Sequence, residues 1–595
     1  MTQTPSPNLA TTGTPQTSEL STADRFLCDL RAKLPRPYLL AHRKIHISDR
    51  YGKPGMAVCS PLRVTALVRD PDGHGWARLV EVLTPDQRVI ECVLPHAEIE
   101  AKPLDAIAQL ADCGMQIHGQ RDDLITFLKS WTPGRYAMRL DQAGWNRDCT
   151  AFALADGRII APTSTNETMI YTGAVNRFSA GSFEGWQLGI AALCLGNPFL
   201  IFGISLALSG PLLALTNRTG GIFHLHGATS IGKTKILQAA LSVWPSAEKE
   251  FSWTSTSSGL QGLLVEANDT FIGLDELPRE PHAGFGDDIY SAANGAGKNR
   301  ATVTGKAQAR QQWRASILST GETPVRKVLR DQGHSLRGGQ GVRMIDIPVT
   351  GMTHGAFDDL HGFLSSKDFA RELECIAPRD SGHAGPIFVR NLIVADRTGT
   401  IRTIAENLHR TEIAKLMRRL DLDAGTVGNE ILRVLDRFAL IATAGEFARK
   451  LQITGWPSGA ASDAVARVAA AWYEYRGADT STDQTAAVEI TRDYLQRFGD
   501  SRFAILRNGD QNNLEAPAAR SHEAAGYRDE DYFYILKPSF DEIHRGYDIR
   551  RAGEHLQAAG YLEPGGERNS LQYRLPGLGK QRPRVYRIRT DILGA

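Results

Sequence analysis

Between Gly227 and Thr234 the chain reads Gly-Ala-Thr-Ser-Ile-Gly-Lys-Thr, with an apolar run Ile222–His226 before it and an amphipathic run Lys233–Trp244 after it. A GxxxxGK[ST] pattern set between a strand and a helix leaves few folds open to the chain. Its glycines let the backbone wrap closely around an anion, while successive N–H groups and the helix N-terminus turn positive ends toward it. The pattern predicts that Gly227, Ala228, Thr229, Ser230, Ile231, Gly232, Lys233 and Thr234 cradle the phosphates of ATP. Lys233 then sets a point charge against the β- and γ-phosphates, and the Thr234 hydroxyl ligates Mg2+.

A second element fits the first. Thr270–Glu276 (Thr-Phe-Ile-Gly-Leu-Asp-Glu) is an apolar strand closed by two acids. Asp275 is expected to hold the metal, directly or through water, and Glu276 to polarise the attacking water as the catalytic base. A third strand, Arg314–Leu318, ends in Ser319-Thr320-Gly321-Glu322. If it lies between the other two strands, Thr320 is placed to orient the water, with Ser319 as the alternative. Arg343 precedes the strand Met344–Ile347. It is either an arginine that reaches a neighbouring subunit's γ-phosphate, an ordinary surface arginine, or a partner for Asp346. Between the second and third strands, residues 294–306 set Lys298, Arg300 and Lys306 about a short β-prone run and a glycine turn. These three cations suit sequence-independent grip on nucleic-acid phosphates; Lys298 and Arg300 facing a neighbour's nucleotide or solvent are the other readings.

The rest of the chain is less explicit. At 595 residues it has room for several domains, and its net charge of +2 excludes any argument from global electrostatics, so a basic surface must be local. The seven cysteines are scattered, without a CxxC pair or zinc spacing, as expected of reduced thiols in a cytoplasmic protein. Residues 1–30 read as a disordered Thr/Pro/Ser tail without signal-peptide blocks. Residues 31–185 form a strand-rich N-terminal domain, with Asp70-Pro71-Asp72-Gly73 as a hairpin turn, and declare no chemistry. Trp186–Leu215 is apolar enough to raise the question of a membrane, but Gly196-Asn197-Pro198 divides it into two pieces, read as buried helices leading the core at 186–350. Residues 351–480 are expected to be a helical lid. Residues 481–595 suggest a winged helix, with the basic run Arg568, Arg574, Lys580, Arg582, Arg584, Arg587 and Arg589 on its ribbon. That ribbon is either a phosphate-binding surface or a solvated one.

These residues resemble the helicase-like ATPase family catalogued as domain of unknown function 927, of bacterial mobile elements and prophages. The motifs that carry the resemblance are HLHGATSIGKTKILQAALSVW at 224–244, FIGLDEL at 271–277, AANGAGKNRATVTG at 292–305, WRASILSTGE at 313–322 and GQGVRMIDIP at 339–348, with flanking GWARLVEV at 75–82, FALIATAGEFA at 438–448 and ITGWP at 453–457. The resemblance extends from about residue 35 to the end. It implies a multidomain α/β protein with a P-loop NTPase core of AAA+-like, three-layer type carrying a hairpin before the sensor strand. It also implies a homo-oligomeric ring, a hexamer, that moves on single-stranded or forked DNA and is encoded near primase-like proteins. One departure is visible: where an Asn-Gly-Leu-Glu-like segment is expected, the chain has Ser258-Gly259-Leu260-Gln261.

Three functions follow for comparison. The first is an ATP-dependent DNA translocase or helicase serving replication of a mobile element. The second is a DNA-binding ATPase that loads or remodels replication complexes without unwinding. A scaffold that keeps nucleotide only for structure is opposed by the intact Asp275-Glu276 pair.

Overall fold

The computed structural model describes residues 21–163, 167–175, 178–245, 251–253, 256–278, 282, 284–297, 310–331, 343–396, 399–423, 425, 427–506, 524–545, 549–565, 569–573 and 582–594. The protein is a multidomain α/β chain that divides into two units, residues 1–141 with 163–172, and residues 142–162 with 173–595.

In the first unit, strict period-two patterning builds a mixed sheet. Leu62–Arg69 alternates buried and part-exposed residues along its whole length. It pairs antiparallel with Ala77–Leu83 through the turn at Asp70–Gly73, where Gly73 has φ +82° and donates its N–H to the Asp70 carbonyl at 3.1 Å. The sheet runs in the order 168–171, 136–140, 62–69, 77–83, 89–95. A second, antiparallel sheet comprises Tyr38–Ala41, Lys44–Ser48 and Pro54–Cys59. Helices Thr22–Lys33, Pro103–Asp112 and Arg121–Ser130 bury Phe26, Leu30, Leu110, Phe127 and Leu128 in the core of this unit.

The second unit is organised by strands β1 (Gly221–His226), β2 (Phe251–Ser252), β3 (Phe271–Asp275), β4 (Ser316–Gly321) and β5 (Met344–Pro348). All pairings are parallel, in the order β2-β3-β4-β1-β5, so β4 lies hydrogen-bonded between β1 and β3. Helices cover both faces, which explains why β1 is buried at every position. On one face Phe223, Leu225, Leu318 and Ile345 pack with helices α1 (Pro198–Leu215) and α2 (Lys233–Leu241). On the other, Ile222, Ile272, Ile317 and Met344 pack with α3 (Ser257–Glu266), α4 (Phe285–Asn294) and α5 (Val325–Asp331).

Helix α1 has a mean hydropathy of 2.0 and is long enough to cross a bilayer, yet 94% of it is buried within the protein. A helix apolar on every side belongs inside something, and here that is the layer formed with α6 (Asn429–Lys450) and α7 (Ala460–Phe498). Pro211 sits inside α1 and removes the N–H that would bond the carbonyl of Ala207. Trp244 Nε1 donates to that carbonyl instead, at 2.8 Å. The apolar piece ahead of Pro198 is a short composite, an α-turn at Phe183–Trp186, a π-turn at Gln187–Ala191 and a last α-turn at Ala192–Cys194.

Residues 142–162 belong with this unit. Trp145 donates its Nε1–H to the Pro211 carbonyl at 3.0 Å and its backbone N–H to Asp269 Oδ2 at 3.0 Å, while Phe152 stacks on Trp244. Beyond α7 a further sheet comprises β6 (Phe503–Ile505), β7 (Gly526–Arg528), β8 (Tyr532–Leu536), β9 (Leu571–Gln572) and β10 (Arg584–Arg589), in the order β6-β7-β8-β10-β9. Helices α8 (Lys537–Ile543) and α9 (Ile549–Ala558) pack on it through Phe540, Ala552 and Leu556.

Candidate functional site

Because every strand of the β1–β5 sheet points the same way, their C-terminal ends gather at one edge, and the loops that leave that edge meet there. The loop from β1 to α2 is shaped by glycine. Gly227 has φ +153° and Gly232 φ +109°. A Cβ on Gly232 would stand 2.8 Å from the Phe357 ring, so no other residue fits without displacing it. Ser230 also takes a positive φ, +63°. Lys233, at the first position of α2, turns its ammonium back over the loop, donating to the carbonyls of Gly227 at 2.9 Å and Ala228 at 2.6 Å. Burial lowers its pKa, and the nearby charges of Glu322 and Asp275 oppose that shift.

Strand β3 delivers the acids. Gly273 lets α2 lie close, since a Cβ there would meet Leu237 Cδ1 at 2.6 Å. Asp275 Oδ1 accepts the Thr320 hydroxyl proton and, at 3.1 Å, the N–H of Glu276. Glu276 is exposed and has φ +53°, a left-handed backbone that non-glycine residues adopt at a cost. Thr229 donates its hydroxyl to Glu322 Oε1, which ties the β1 loop to the turn after β4. The structure therefore brings together Lys233, Asp275 and Thr320, with Glu322 as a member that the sequence supplied without a role.

Thr320 and Ser319 face opposite ways, as successive strand residues must. Ser319 is fully buried on the far face, where it accepts from Trp253 Nε1 at 2.8 Å and meets His224 Nδ1 at 2.9 Å. His224 Nε2 lies 3.1 Å from the Thr323 carbonyl, which can only accept, so Nε2 carries the proton and Ser319 donates to Nδ1. Burial pushes the His224 pKa down to about 4, in keeping with this neutral ring. The resulting chain runs from Trp253 through Ser319 and His224 to Thr323, and it fixes the turn that bears Glu322.

Arg343 lies at the opposite edge of the sheet. Its carbonyl accepts the N–H of Ile222, at the start of β1, whereas the loop leaves from His226. At roughly 3.3 Å per strand residue the two edges are about 16 Å apart. Asp346 accepts the N–H groups of Val325 at 3.0 Å and Arg326 at 3.3 Å, and so caps α5. Lys298, Arg300 and Lys306 lie outside the described residues. The ends of their segment are described: Ala296 and Gln312 form an antiparallel bridge, and Gly297 donates to the Gln311 carbonyl at 2.9 Å. Of the C-terminal cations, Arg568, Arg574 and Lys580 also lie outside. Arg587 sits 3.7 Å over the Tyr532 ring, and Arg589 pairs with Asp591 at 3.0 Å.

Against this geometry, residues 42–312 match the model of the family described as "Domain of unknown function (DUF927)". Over that span the chain is similar to the DUF927 family. The DUF927 match takes in the β1 loop and β3 but stops before β4, so Thr320, Glu322 and Arg343 fall outside it. Likeness of fold extends further. A solved chain titled "SCCmec type IV Cch - active helicase" superposes with a TM-score of 0.64 over 94% of this chain and 99% of that one, at 16% identity. NtrX from Brucella abortus, solved with ATP, overlays only loosely (TM-score 0.19, 16% identity, 40% of this chain and 66% of that one). The C-terminal region of NrS-1 does likewise (TM-score 0.25, 9% identity, 64% and 87%). No curated protein matches the sequence significantly.

Proposed function

We propose that this protein is an ATP-dependent DNA translocase or helicase that works as a ring of identical subunits in the replication or maintenance of a mobile element or prophage. The observation that carries the reading is the meeting of Lys233, Asp275 and Thr320 at the edge from which a glycine-shaped loop leaves a parallel sheet. The fold shared with a chain described as an active helicase agrees with it.

The residues present fit MgATP. Backbone N–H groups of Gly227–Gly232 and the start of α2 suit an anion, and the Lys233 ammonium, held by the Gly227 and Ala228 carbonyls, can move onto phosphate oxygens. The Thr234 hydroxyl and the Asp275 carboxylate are the hard oxygen donors that Mg2+ prefers. When bound, the metal would neutralise charge on the phosphates. Glu276, exposed beside Asp275, is the base that takes the water's proton. Thr320, fastened to Asp275, orients that water.

Arg343 is too far from its own chain's loop to serve it, so in this reading it completes the site of a neighbouring copy. The antiparallel closure at Ala296 and Gln312 supports a hairpin carrying Lys298, Arg300 and Lys306 onto DNA. Helices α8 and α9 followed by β9 and β10 support a winged helix with a basic ribbon.

The test is ATP hydrolysis with and without DNA, followed by strand displacement on a forked substrate. Lys233→Ala and Glu276→Gln should each remove hydrolysis and displacement. Hydrolysis at the wild-type rate in both variants would refute the site. Wild-type hydrolysis without displacement would replace unwinding with loading or remodelling.

A further inference from the structure

From Arg31 to Leu62 the chain carries seven cations, Arg31, Lys33, Arg36, Arg43, Lys44, Arg50 and Lys53, against the single acid Asp49. The turn engages that acid, which stays exposed, with its own backbone. Asp49 Oδ1 accepts the N–H of Tyr51 at 2.9 Å and of Lys53 at 2.8 Å, and its carbonyl accepts the N–H of Gly52 at 3.0 Å. The turn between strands 44–48 and 54–59 is thus pinned by its own carboxylate, and its tip presents Arg50, Tyr51 and Lys53. Tyr51 is 72% exposed, and the Arg50 guanidinium lies 4.8 Å from the ring centroid. Arg36 is drawn to the same end because the Ser48 N–H donates to the Pro37 carbonyl at 2.7 Å. Arg36, Arg50 and Lys53 form no ion pair with a described residue.

We propose that this turn is a contact for single-stranded nucleic acid, with Arg36, Arg50 and Lys53 on backbone phosphates and the Tyr51 ring beneath an unstacked base. An exposed tyrosine ring with a cation at its side offers a π-face that any base can use, and only an unpaired strand has base faces free to meet it. A lipid surface is the poorer fit, since interfacial binding rests on a broad apolar face. Among the described residues of this tip, Met56 is the large apolar side chain left exposed. The contact needs no nucleotide and stands apart from the motor reading above.

The experiment uses the full chain, without nucleotide, and follows the anisotropy of a labelled oligothymidylate at several salt concentrations. Tyr51→Ala should weaken binding by about fivefold or more, the scale of removing one ring from beneath a base. Tyr51→Trp should bind as wild type does. Arg50→Ala with Lys53→Ala should lower the slope of log affinity against log salt by about 1.4, or ~0.7 for each phosphate no longer neutralised. DNA-free ATP hydrolysis should not change in any of these variants, which separates this turn from the site around Lys233. Wild-type affinity and salt slope in both alanine variants would overturn the proposal. So would loss of binding to phosphatidylserine vesicles, with oligothymidylate binding intact.

Discussion

The two principal five-stranded sheets follow different rules. In the β1–β5 sheet the strands run parallel, both faces are covered, and β1 and β4 are buried at every position. In the sheet of the first unit the strands are mixed in direction, and Leu62–Arg69 alternates between buried and part-exposed residues. The difference bears directly on where chemistry can sit. Parallel strands send all their C-terminal ends to one edge, so loops from distant parts of the chain converge and charged groups meet there. A mixed sheet spreads its strand ends over two edges, so its turns act singly.

The sharpest way to break that comparison is to place the same substitution in one turn of each sheet. Gly232 and Gly73 both have positive φ, +109° and +82°. A side chain at Gly232 meets the Phe357 ring at 2.8 Å, whereas at Gly73 it meets nothing within 4 Å. Gly73→Ala should cost only backbone strain, about 1–2 kcal/mol in the first unit, and leave hydrolysis unchanged. Gly232→Ala adds displacement of Phe357 to that strain and deforms the loop that holds Lys233. Hydrolysis should fall by about 10² or more, the scale of removing one preorganised donor from a transition state. Equal effects of the two substitutions would mean that the loop geometry is not what organises the site.

A second test compares neighbours along a strand. In β1, Ile222 and Phe223 are both buried, on opposite faces, so Ile222→Ala and Phe223→Ala should each cost about 2–5 kcal/mol. In the mixed sheet, Val64 is 3% exposed while Thr65 is only part-buried. There Val64→Ala should destabilise clearly, and Thr65→Ala by about 0.5 kcal/mol or less. Thermal unfolding of the four variants checks both pairs. A large loss at Thr65 would show that the alternation does not report burial.

How much of this was legible depends on the distance over which each residue acts. The β1-loop-α2 unit is local, and its expected strand at Ile222–His226 and helix start at Lys233 agree with the observed Gly221–His226 and Lys233. The turn at Asp70–Gly73 is local too. The buried fate of Pro198–Leu215 could be read from its all-round hydropathy and the Gly196-Asn197 break. By contrast, Glu322 stood in the sequence without a role because its partner Thr229 is 93 positions away. Nor could the strands at Gly144-Trp145 and Phe152-Ala153 reveal that they pack with the second unit, since that rests on Pro211, Asp269 and Trp244. Helix α7 runs on to Phe498, past the boundary expected for the helical lid at residue 480. An interior glycine such as Gly477 costs only about 1 kcal/mol in a helix, and Val488 and Leu495 recover more than that by packing with Phe503 and Phe533.

A last expected effect is a difference in acid sensitivity between the two sheets. His224 and His226 lie on β1, and burial pushes both pKa values down to about 4. Unfolded, each would take up a proton as pH falls through about 6.5. The unfolded state therefore binds more protons between pH 6.5 and 4, and the histidines' contribution, complete above 6.5, is lost across that window. At pH 5 the loss is about 2 kcal/mol for a ring shifted this far. Near His226, Asp346 acts in the opposite sense, since burial raises its pKa and its folded form holds the proton more readily. A variant that removes one ring isolates the histidine contribution. His226 packs against Tyr475 at 4.8 Å with the rings tilted by 59°, and its Nε2 has no hydrogen-bond partner among the described residues, so His226→Phe keeps the packing and removes the titration. The variant should lose less stability than wild type between pH 7 and pH 5. In the mixed sheet's unit His118 is also lowered, first by burial and then by Lys44 and His46, but it stands exposed. Acidification should accordingly loosen the β1–β5 unit before the first unit, which proteolysis at pH 5 would reveal as earlier cleavage within the segments that flank β1. Simultaneous loosening of both units would show that buried histidines do not set the acid response of this fold.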